Sequence, residues 1–178
     1  MIRGFIIRSV RALRGRFGAR ATLNCDLSKS IIPSSARFKS PDRIVISPYV
    51  RIGQKSYIDG SGTVKIGSGT TLAENVCILS SSHNFINPSL LPFDEGEKLD
   101  AVCIGEACWL GHGVMVLPGT TIGNNVIIAA GSVARGELHE NGIYAGNPAV
   151  RVSERKISIE NTAENYLQYQ VVSGSLRR

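Results

Sequence analysis

Aromatic residues and long apolar runs are both scarce in this chain of 178 residues. Only 6% of the residues are Phe, Trp or Tyr, and no apolar stretch approaches the roughly 20 residues that a transmembrane helix needs. A secretory signal peptide also fits poorly, because arginines interrupt the leader as far as Arg20. These absences predict one globular domain that stays in the cytoplasm.

Excess charge is absent from most of the chain. The net charge of +6 lies in the first 20 residues, which hold six arginines and no acidic residue, whereas 14 basic and 14 acidic residues balance from residue 21 onward. A balanced body disfavours a nucleic-acid groove, which needs clustered Lys and Arg. The leader, residues 1–22, alternates its arginines with apolar residues at helical spacing. This pattern predicts a basic amphipathic helix that either contacts the inner face of an anionic membrane or packs on the body.

Cysteine is sparse and irregularly spaced, which disfavours a disulfide framework in a chain of this size. No C-x-x-C pair is present to indicate a zinc site. The sequence therefore predicts four free thiols, at Cys25, Cys77, Cys103 and Cys108.

A period of six residues is the strongest pattern that is present. Each repeat starts with Ile, Leu or Val and has a small or β-branched fifth residue, in ten repeats that start at Ile46, Ile52, Ile66, Leu72, Ile78, Ile104, Leu110, Val116, Ile122 and Ile128. Neither a helix nor an alternating strand has this period. A coil of short parallel strands does, with three six-residue sides per turn and the first residue of each repeat pointing inward. We therefore expect an all-β solenoid over residues 23–152 and a helical tail over residues 153–178.

Two interruptions break the period. The step from Ile58 to Ile66 is eight residues, and the step from Ile78 to Ile104 is 26 residues, which predicts a loop over residues 84–101 extruded from a corner. Insertions of this length in a compact domain are usually functional. His83 directly precedes the loop, where an exposed imidazole is suited to general-base catalysis. A solvated turn histidine is the alternative.

Four segments resemble a known family. They are TVKIGSGTTLAENVCILSSSH from Thr63, WLGHGVMVLPGTTIG from Trp109, IAAGSV from Ile128 and AGNPA from Ala145. Together they are similar to the left-handed β-helix acyltransferases, above all the galactoside and maltose acetyltransferases and the surface-polysaccharide O-acetyltransferases. The resemblance covers residues 42–152. It implies a left-handed coil and a homotrimer that binds acetyl-CoA between neighbouring subunits. The implied reaction is acetylation of a hydroxyl on a sugar or polysaccharide intermediate, without a metal or an acyl-enzyme.

The resemblance also assigns site residues. The family's catalytic histidine falls on His83, with His112 as its main competitor. The family commonly has an arginine for the CoA phosphates at the position that Val150 occupies in this chain. The assignment of Arg151 to these phosphates is therefore open, and Arg155 and Lys156 are the alternatives. The implied cofactor contacts are Trp109, Gly111, His112, Ala130 and Arg151.

On the acceptor side, the resemblance points to Asn84 and Phe85, which follow His83, and to Asp59 one coil earlier. Many polysaccharide acetyltransferases read D-H-N-H where this chain reads S-H-N-F, so a second imidazole is missing. A turn aspartate is the simpler account of Asp59.

Three other functions stay open at this point. The acceptor group is either a hydroxyl or the amine of an amino sugar. Some β-helix proteins are metal-dependent carbonic anhydrases, and the chain has three histidines, His83, His112 and His139, but not the close histidine pair of that family. A non-catalytic scaffold is the third alternative, and it would not need a histidine beside a long apolar loop.

Overall fold

The computed structural model describes residues 23–25 and 29–158, which form a three-sided coil of short strands. Face 1 contains β1 (Asn24–Cys25), β3 (Ile44–Ile46), β6 (Val64–Ile66), β11 (Val102–Ile104), β14 (Thr121–Ile122) and β17 (Glu137–Leu138). Face 2 contains β4 (Arg51–Ile52), β7 (Thr71–Leu72), β12 (Trp109–Leu110), β15 (Ile127–Ile128), β18 (Gly142–Ala145) and β19 (Val150–Glu154). Face 3 contains β2 (Arg37–Lys39), β5 (Tyr57–Asp59), β8 (Cys77–Ile78), β13 (Met115–Val116) and β16 (Val133–Ala134).

The chain visits the three faces in turn, so that its strands stack as six successive coils. Neighbouring strands of a face are parallel, except for β19, which returns antiparallel along β18. We name the corners by the faces that they join: corner 1/2, corner 2/3 and corner 3/1. The sixth coil turns back along face 2 at β19 and adds no strand to face 3, and residues from successive coils form columns at each corner.

The predicted inward positions form the core. The first residue of every one of the ten repeats is buried, and identical positions stack in register, as Ile58 does on Ile78 and Leu72 on Leu110. Several fifth positions are buried hydroxyls that bond to carbonyls at the corners. Thr70 donates to Gly105 O at 2.8 Å, and Ser56 donates to Ala73 O at 3.3 Å. In nine of the ten repeats, the period of six places both an aliphatic first residue and a small or β-branched fifth residue inside the coil, as expected.

Glycine is required where coils approach closely at corner 1/2. A Cβ at Gly67 would lie 2.5 Å from the carbonyl carbon of Gly105 in the next coil, closer than real Cβ contacts. Neither backbone has room to move, because each is hydrogen-bonded to its neighbours: Gly67 N donates to Ile104 O, and Gly105 N donates to Ile122 O. This column explains why the second position of the repeat is so often glycine.

The structure differs from the predicted period at the loop. The repeat that starts at Ile78 predicts Ser82 inside, but Ser80 is the buried residue and Ser82 is partly exposed. The chain leaves the coil after Ser80 and forms an antiparallel hairpin of β9 (Ser81–His83) and β10 (Glu97–Leu99). The insertion thus begins as paired strands, and only its tip lacks regular structure.

The predicted end elements lie largely outside the described residues. The predicted amphipathic helix over 1–22 and residues 159–178 of the tail are among the residues not described. Of the tail, residues 153–158 are described and begin with the end of β19. Within residues 23–25 and 29–158, the sole helix is a 3-10 turn, Pro41–Arg43, and no helix there is long and apolar enough to cross a membrane.

Adjacent residues of β7 allow a test of the inside-outside alternation. Leu72 is fully buried and Thr71 faces outward, so Leu72→Ala is expected to destabilise the fold by about 2–5 kcal/mol through lost burial and a cavity. The matched change Thr71→Ala should stay within about 0.5 kcal/mol. Urea unfolding at one protein concentration measures both. Equal destabilisation by the two variants would contradict the predicted inward register.

Candidate active site

The hairpin at corner 3/1 carries His83. His83 is the last residue of β9, lies opposite Glu97 of β10 and is exposed. Its ring stacks on that of Phe93, with ring centroids 3.9 Å apart and planes inclined by 13°. The structure therefore confirms that His83 stands on the surface at the base of the insertion, and it adds an aromatic neighbour that the sequence pattern did not identify.

Asp94 organises the tip of the hairpin. Its Oδ2 accepts hydrogen bonds from Ser89 N at 3.0 Å and from Asn84 Nδ2 at 2.9 Å, and its Oδ1 accepts from Gly96 N at 2.9 Å. The backbone N–H groups of Ser89 and Gly96 lower the pKa of Asp94, with a smaller contribution from Asn84. The Asn84 amide is thus part of the turn, whereas Phe85, the other predicted acceptor contact beside His83, is 63% exposed.

Asp59 is buried beneath the hairpin stem, with 3% of its surface exposed. Its Oδ2 accepts from Ser81 Oγ at 2.5 Å and its Oδ1 from Ser61 N at 2.9 Å, within the turn that the two extra residues after Ile58 create. Burial alone would raise the pKa of Asp59, but the hydrogen bonds from Ser81 and Ser61 outweigh it and the pKa is lowered. Its carboxylate holds β9 in place and is not open to an acceptor, unlike the contact predicted from sequence.

Lys39 extends this network to the first coil. Its Nζ lies 3.8 Å from Asp59 Oδ2 and 3.4 Å from Glu97 Oε1, so it links the stem of the hairpin to the N-terminal end of the coil. Sequence reasoning missed Lys39, since 58 residues separate it from Glu97. Only the coil geometry brings the two side chains together.

Three of the predicted cofactor residues meet at corner 2/3. A Cβ on Gly111 would lie 2.7 Å from Ala130 N, so these two residues are in direct contact across adjacent coils. His112 follows Gly111 in the chain and is exposed, and its Nε2 accepts from Asn75 Nδ2 at 3.4 Å in the tautomer that fits this amide. The Gly111 amide donates to Ile128 O at 2.8 Å and is used within the coil.

The remaining predicted cofactor residues lie on face 2. Trp109 is 53% exposed on β12, and Arg151 lies on β19, three strands away, paired with Glu154 at 3.8 Å. Lys156 is exposed. Arg155 instead donates to Ala107 O at 2.9 Å at corner 1/2, so its guanidinium is hydrogen-bonded to the backbone of the coil.

The three histidines occupy three different corners. His83 lies at corner 3/1 and His112 at corner 2/3, while His139 lies at corner 1/2, with its Nδ1 3.7 Å from Glu137 Oε1. Among residues 23–25 and 29–158, no group of three His, Cys, Asp or Glu side chains is placed to hold a metal ion. One chain therefore does not assemble the three-histidine site of the carbonic anhydrase alternative from these residues.

Comparison with known proteins agrees with the repeat. Residues 104–136 match the family described as bacterial transferase hexapeptide (six repeats). The chain is 37% identical over 113 residues to Escherichia coli WbbJ, which is named for O-acetyl transfer in lipopolysaccharide biosynthesis, with 60% of this chain and 58% of WbbJ covered. It is 33% identical over 92 residues to the galactoside O-acetyltransferase of E. coli, covering 52% of this chain and 44% of that enzyme. The chain thus spans about three fifths or less of the length of these relatives.

Solved structures show the same fold. A hexapeptide-repeat acetyltransferase from Vibrio cholerae superimposes with a TM-score of 0.69 at 20% identity, covering 85% of this chain and 81% of that one. A maltose O-acetyltransferase from Clostridium difficile gives a TM-score of 0.58 at 24% identity, covering 72% of each chain. These matches confirm the all-β, left-handed coil. By its repeat and its relatives the chain is similar to the hexapeptide-repeat acyltransferases, and it shares their left-handed β-helix fold.

Proposed function

We propose that the protein transfers an acetyl group from acetyl-CoA to a hydroxyl of a sugar or a surface-polysaccharide intermediate. The observation that carries this proposal is an exposed His83 at the stem of a hairpin that leaves a hexapeptide coil. The names of two relatives support the substrate class, because WbbJ is named for lipopolysaccharide biosynthesis and another E. coli relative, WcaF, for colanic acid biosynthesis. The Vibrio protein with this fold has been solved with acetyl-CoA bound, which supports the donor.

His83 acts as the general base in this proposal. A sugar hydroxyl is a poor nucleophile at neutral pH, so a ring nitrogen of His83 removes its proton as the oxygen attacks the thioester carbonyl carbon. The tetrahedral intermediate then collapses, the carbon–sulfur bond breaks, and the imidazolium returns the proton to the CoA thiolate. The products are an O-acetyl ester and free CoA, and both substrates are bound together.

Two of the four cysteines, Cys77 and Cys108, do not suit an acyl-enzyme route. Cys108 is buried, and burial raises the pKa of its thiol to about 11, so that it stays protonated at neutral pH. Its Sγ also donates to Gly123 O at 3.1 Å. Cys77 lies on face 3, and burial raises the pKa of its thiol as well. Direct transfer from acetyl-CoA to the acceptor needs neither thiol.

The proposed site is completed by a second copy of the chain. His83 stands at corner 3/1, whereas Gly111, His112 and Ala130 meet at corner 2/3, at the opposite end of face 3. In a homotrimer, corner 3/1 of one subunit would lie beside corner 2/3 of its neighbour, with acetyl-CoA in the cleft between them. Three such clefts follow from threefold symmetry.

The proposed reaction is tested by thiol release from acetyl-CoA in the presence of a panel of acceptors. The panel contains free sugars, nucleotide sugars, polysaccharide fragments and the corresponding amino sugars. We expect thiol release with a hydroxyl acceptor and a product that hydroxylamine cleaves, as it cleaves an ester. A product that resists hydroxylamine, formed only from amino sugars, would replace O-acetylation with N-acetylation. Absence of thiol release with every acceptor would reject the proposed function.

We also propose that the leader attaches the protein to the cytoplasmic face of an anionic membrane. Each Arg near an anionic surface contributes about 1 kcal/mol, so Arg3→Gln with Arg8→Gln is expected to weaken binding to phosphatidylglycerol vesicles by about 30-fold. The control removes the same charge from the coil, with Arg37→Gln and Arg51→Gln. Vesicle sedimentation measures both variants. Equal affinity for uncharged phosphatidylcholine vesicles, or an equal loss in the control, would reject the leader as the membrane contact.

A further inference from the structure

Phe93 is the nearest aromatic neighbour of the proposed base. The two rings are almost parallel, and their centroids are 3.9 Å apart, which is the separation of a stacked pair. Phe93 lies ten residues after His83, on the far side of the hairpin tip, and 42% of its surface remains exposed. The His83 ring thus covers one face of the Phe93 ring.

The contact is held by the hydrogen bonds of the tip. Asp94, the residue next to Phe93, is bonded to Asn84, the residue next to His83, through Asn84 Nδ2 at 2.9 Å. Asn84 N also donates to Gly96 O at 3.0 Å, which joins the two arms of the hairpin at the same level. The backbones that carry the two rings are therefore fixed relative to each other, and the stacked pair is part of a folded turn.

A stacked ring suits the work of a general base. An exposed histidine side chain is free to rotate about its χ angles, whereas proton transfer needs the accepting nitrogen within hydrogen-bond distance of the hydroxyl. Stacking restricts that rotation and covers only the face of the imidazole. In the neutral ring one nitrogen donates and the other accepts, both in the ring plane, so Phe93 covers neither of them. The electron-rich face of Phe93 also favours the imidazolium that forms when His83 takes the proton.

We propose that Phe93 is a positioning residue for His83, and that its stacked ring orients the imidazole for proton transfer. This assignment rests on the proposed function, since it gives His83 the role of base. This chain reads S-H-N-F from Ser82 and so has no second histidine two residues after His83. The Phe93 ring is the aromatic group that stacks on His83 instead. The aromatic ring of residue 93 is thus the property that matters, which makes Tyr an acceptable substitute and Leu a poor one.

The test compares Phe93→Leu, which keeps an apolar side chain, with Phe93→Tyr, which keeps the ring. We expect Phe93→Leu to lower kcat roughly tenfold and leave the KM for acetyl-CoA unchanged, because the proposed cofactor contacts lie at another corner. Phe93→Tyr should stay within about twofold of the wild-type kcat. Leu90→Ala, an exposed apolar change in the same hairpin, is the control for general damage to the tip.

Histidine NMR gives a readout that does not depend on turnover. The chain has three histidines, so ¹³C-labelled histidine gives three ring signals, and the His83 signal is assigned by its loss in His83→Asn. We expect an upfield ring-current shift of the His83 signal that disappears in Phe93→Leu and remains in Phe93→Tyr. A wild-type spectrum without this shift would overturn the stacking. Loss of the shift with unchanged kcat would overturn the positioning role alone. Absence of turnover by the wild-type protein would instead reject the proposed function, whatever the spectrum shows.

Discussion

Replacing His83 with alanine is expected to lower kcat for acetyl transfer by about 10²–10⁴-fold, the contribution that a positioned general base makes. The acceptor hydroxyl then has no group to take its proton as it attacks the thioester. The KM for acetyl-CoA should change little, because the proposed cofactor contacts lie at corner 2/3 and not on the hairpin. Thiol release with the best acceptor of the panel gives kcat and KM, and light scattering checks that the variant keeps its assembly.

The other two histidines serve as controls for this substitution. His139→Ala changes an exposed side chain at corner 1/2 and should retain the wild-type kcat. His112→Ala is expected to raise the KM for acetyl-CoA, since His112 stands beside Gly111 and Ala130. If His83→Ala keeps its activity and His112→Ala loses kcat, the base is His112 and the hairpin has another task. The experiment thus assigns the base to one of two corners.

The repeating part of the fold was predictable because the same six-residue pattern of inward and outward side chains recurs in each coil. An aliphatic first residue and a small fifth residue decide which side chains point inward, and Leu72 and Thr70 are buried as that rule requires. The rule fails where the chain leaves the coil. Ser80, not Ser82, is the last inward residue, because pairing between β9 and β10 replaces the parallel stack at that point. A period of six contains no information about an antiparallel pair.

The site was less predictable than the fold, because its contacts join distant parts of the chain. The position of His83 before the insertion was visible in the sequence, but the stacking of Phe93 depends on how the tip folds back. Asp59 looked like an acceptor contact, yet burial and the hydrogen bond from Ser81 give its carboxylate a structural task. In the same way, Arg155 looked available to a phosphate, but it bonds to Ala107 O. A polar residue beside a predicted turn either contacts a substrate or bonds within the protein, and only the folded structure distinguishes these two roles.

Two inactive variants are expected to restore activity to each other if the site lies between subunits. His83→Ala removes the base at corner 3/1, and Ala130→Trp fills corner 2/3, where Ala130 is exposed and not part of the buried core. Each variant alone should lack turnover. In mixed trimers, a cleft is intact when one subunit supplies His83 and its neighbour supplies an open corner 2/3. Random assembly of equal amounts makes about a quarter of the clefts intact, because the two interacting corners belong to different copies.

The recovery separates the two possible locations of the site. Co-expression of His83→Ala and Ala130→Trp should give about a quarter of the wild-type thiol release, with trimers confirmed by light scattering. Co-expression of His83→Ala with the double variant His83→Ala, Ala130→Trp is the matched control and should stay at background, since no subunit then carries His83. A site contained in one chain would give no recovery in either mixture, because every chain lacks one half of it. Because corners 3/1 and 2/3 lie at opposite ends of face 3, we expect the recovery.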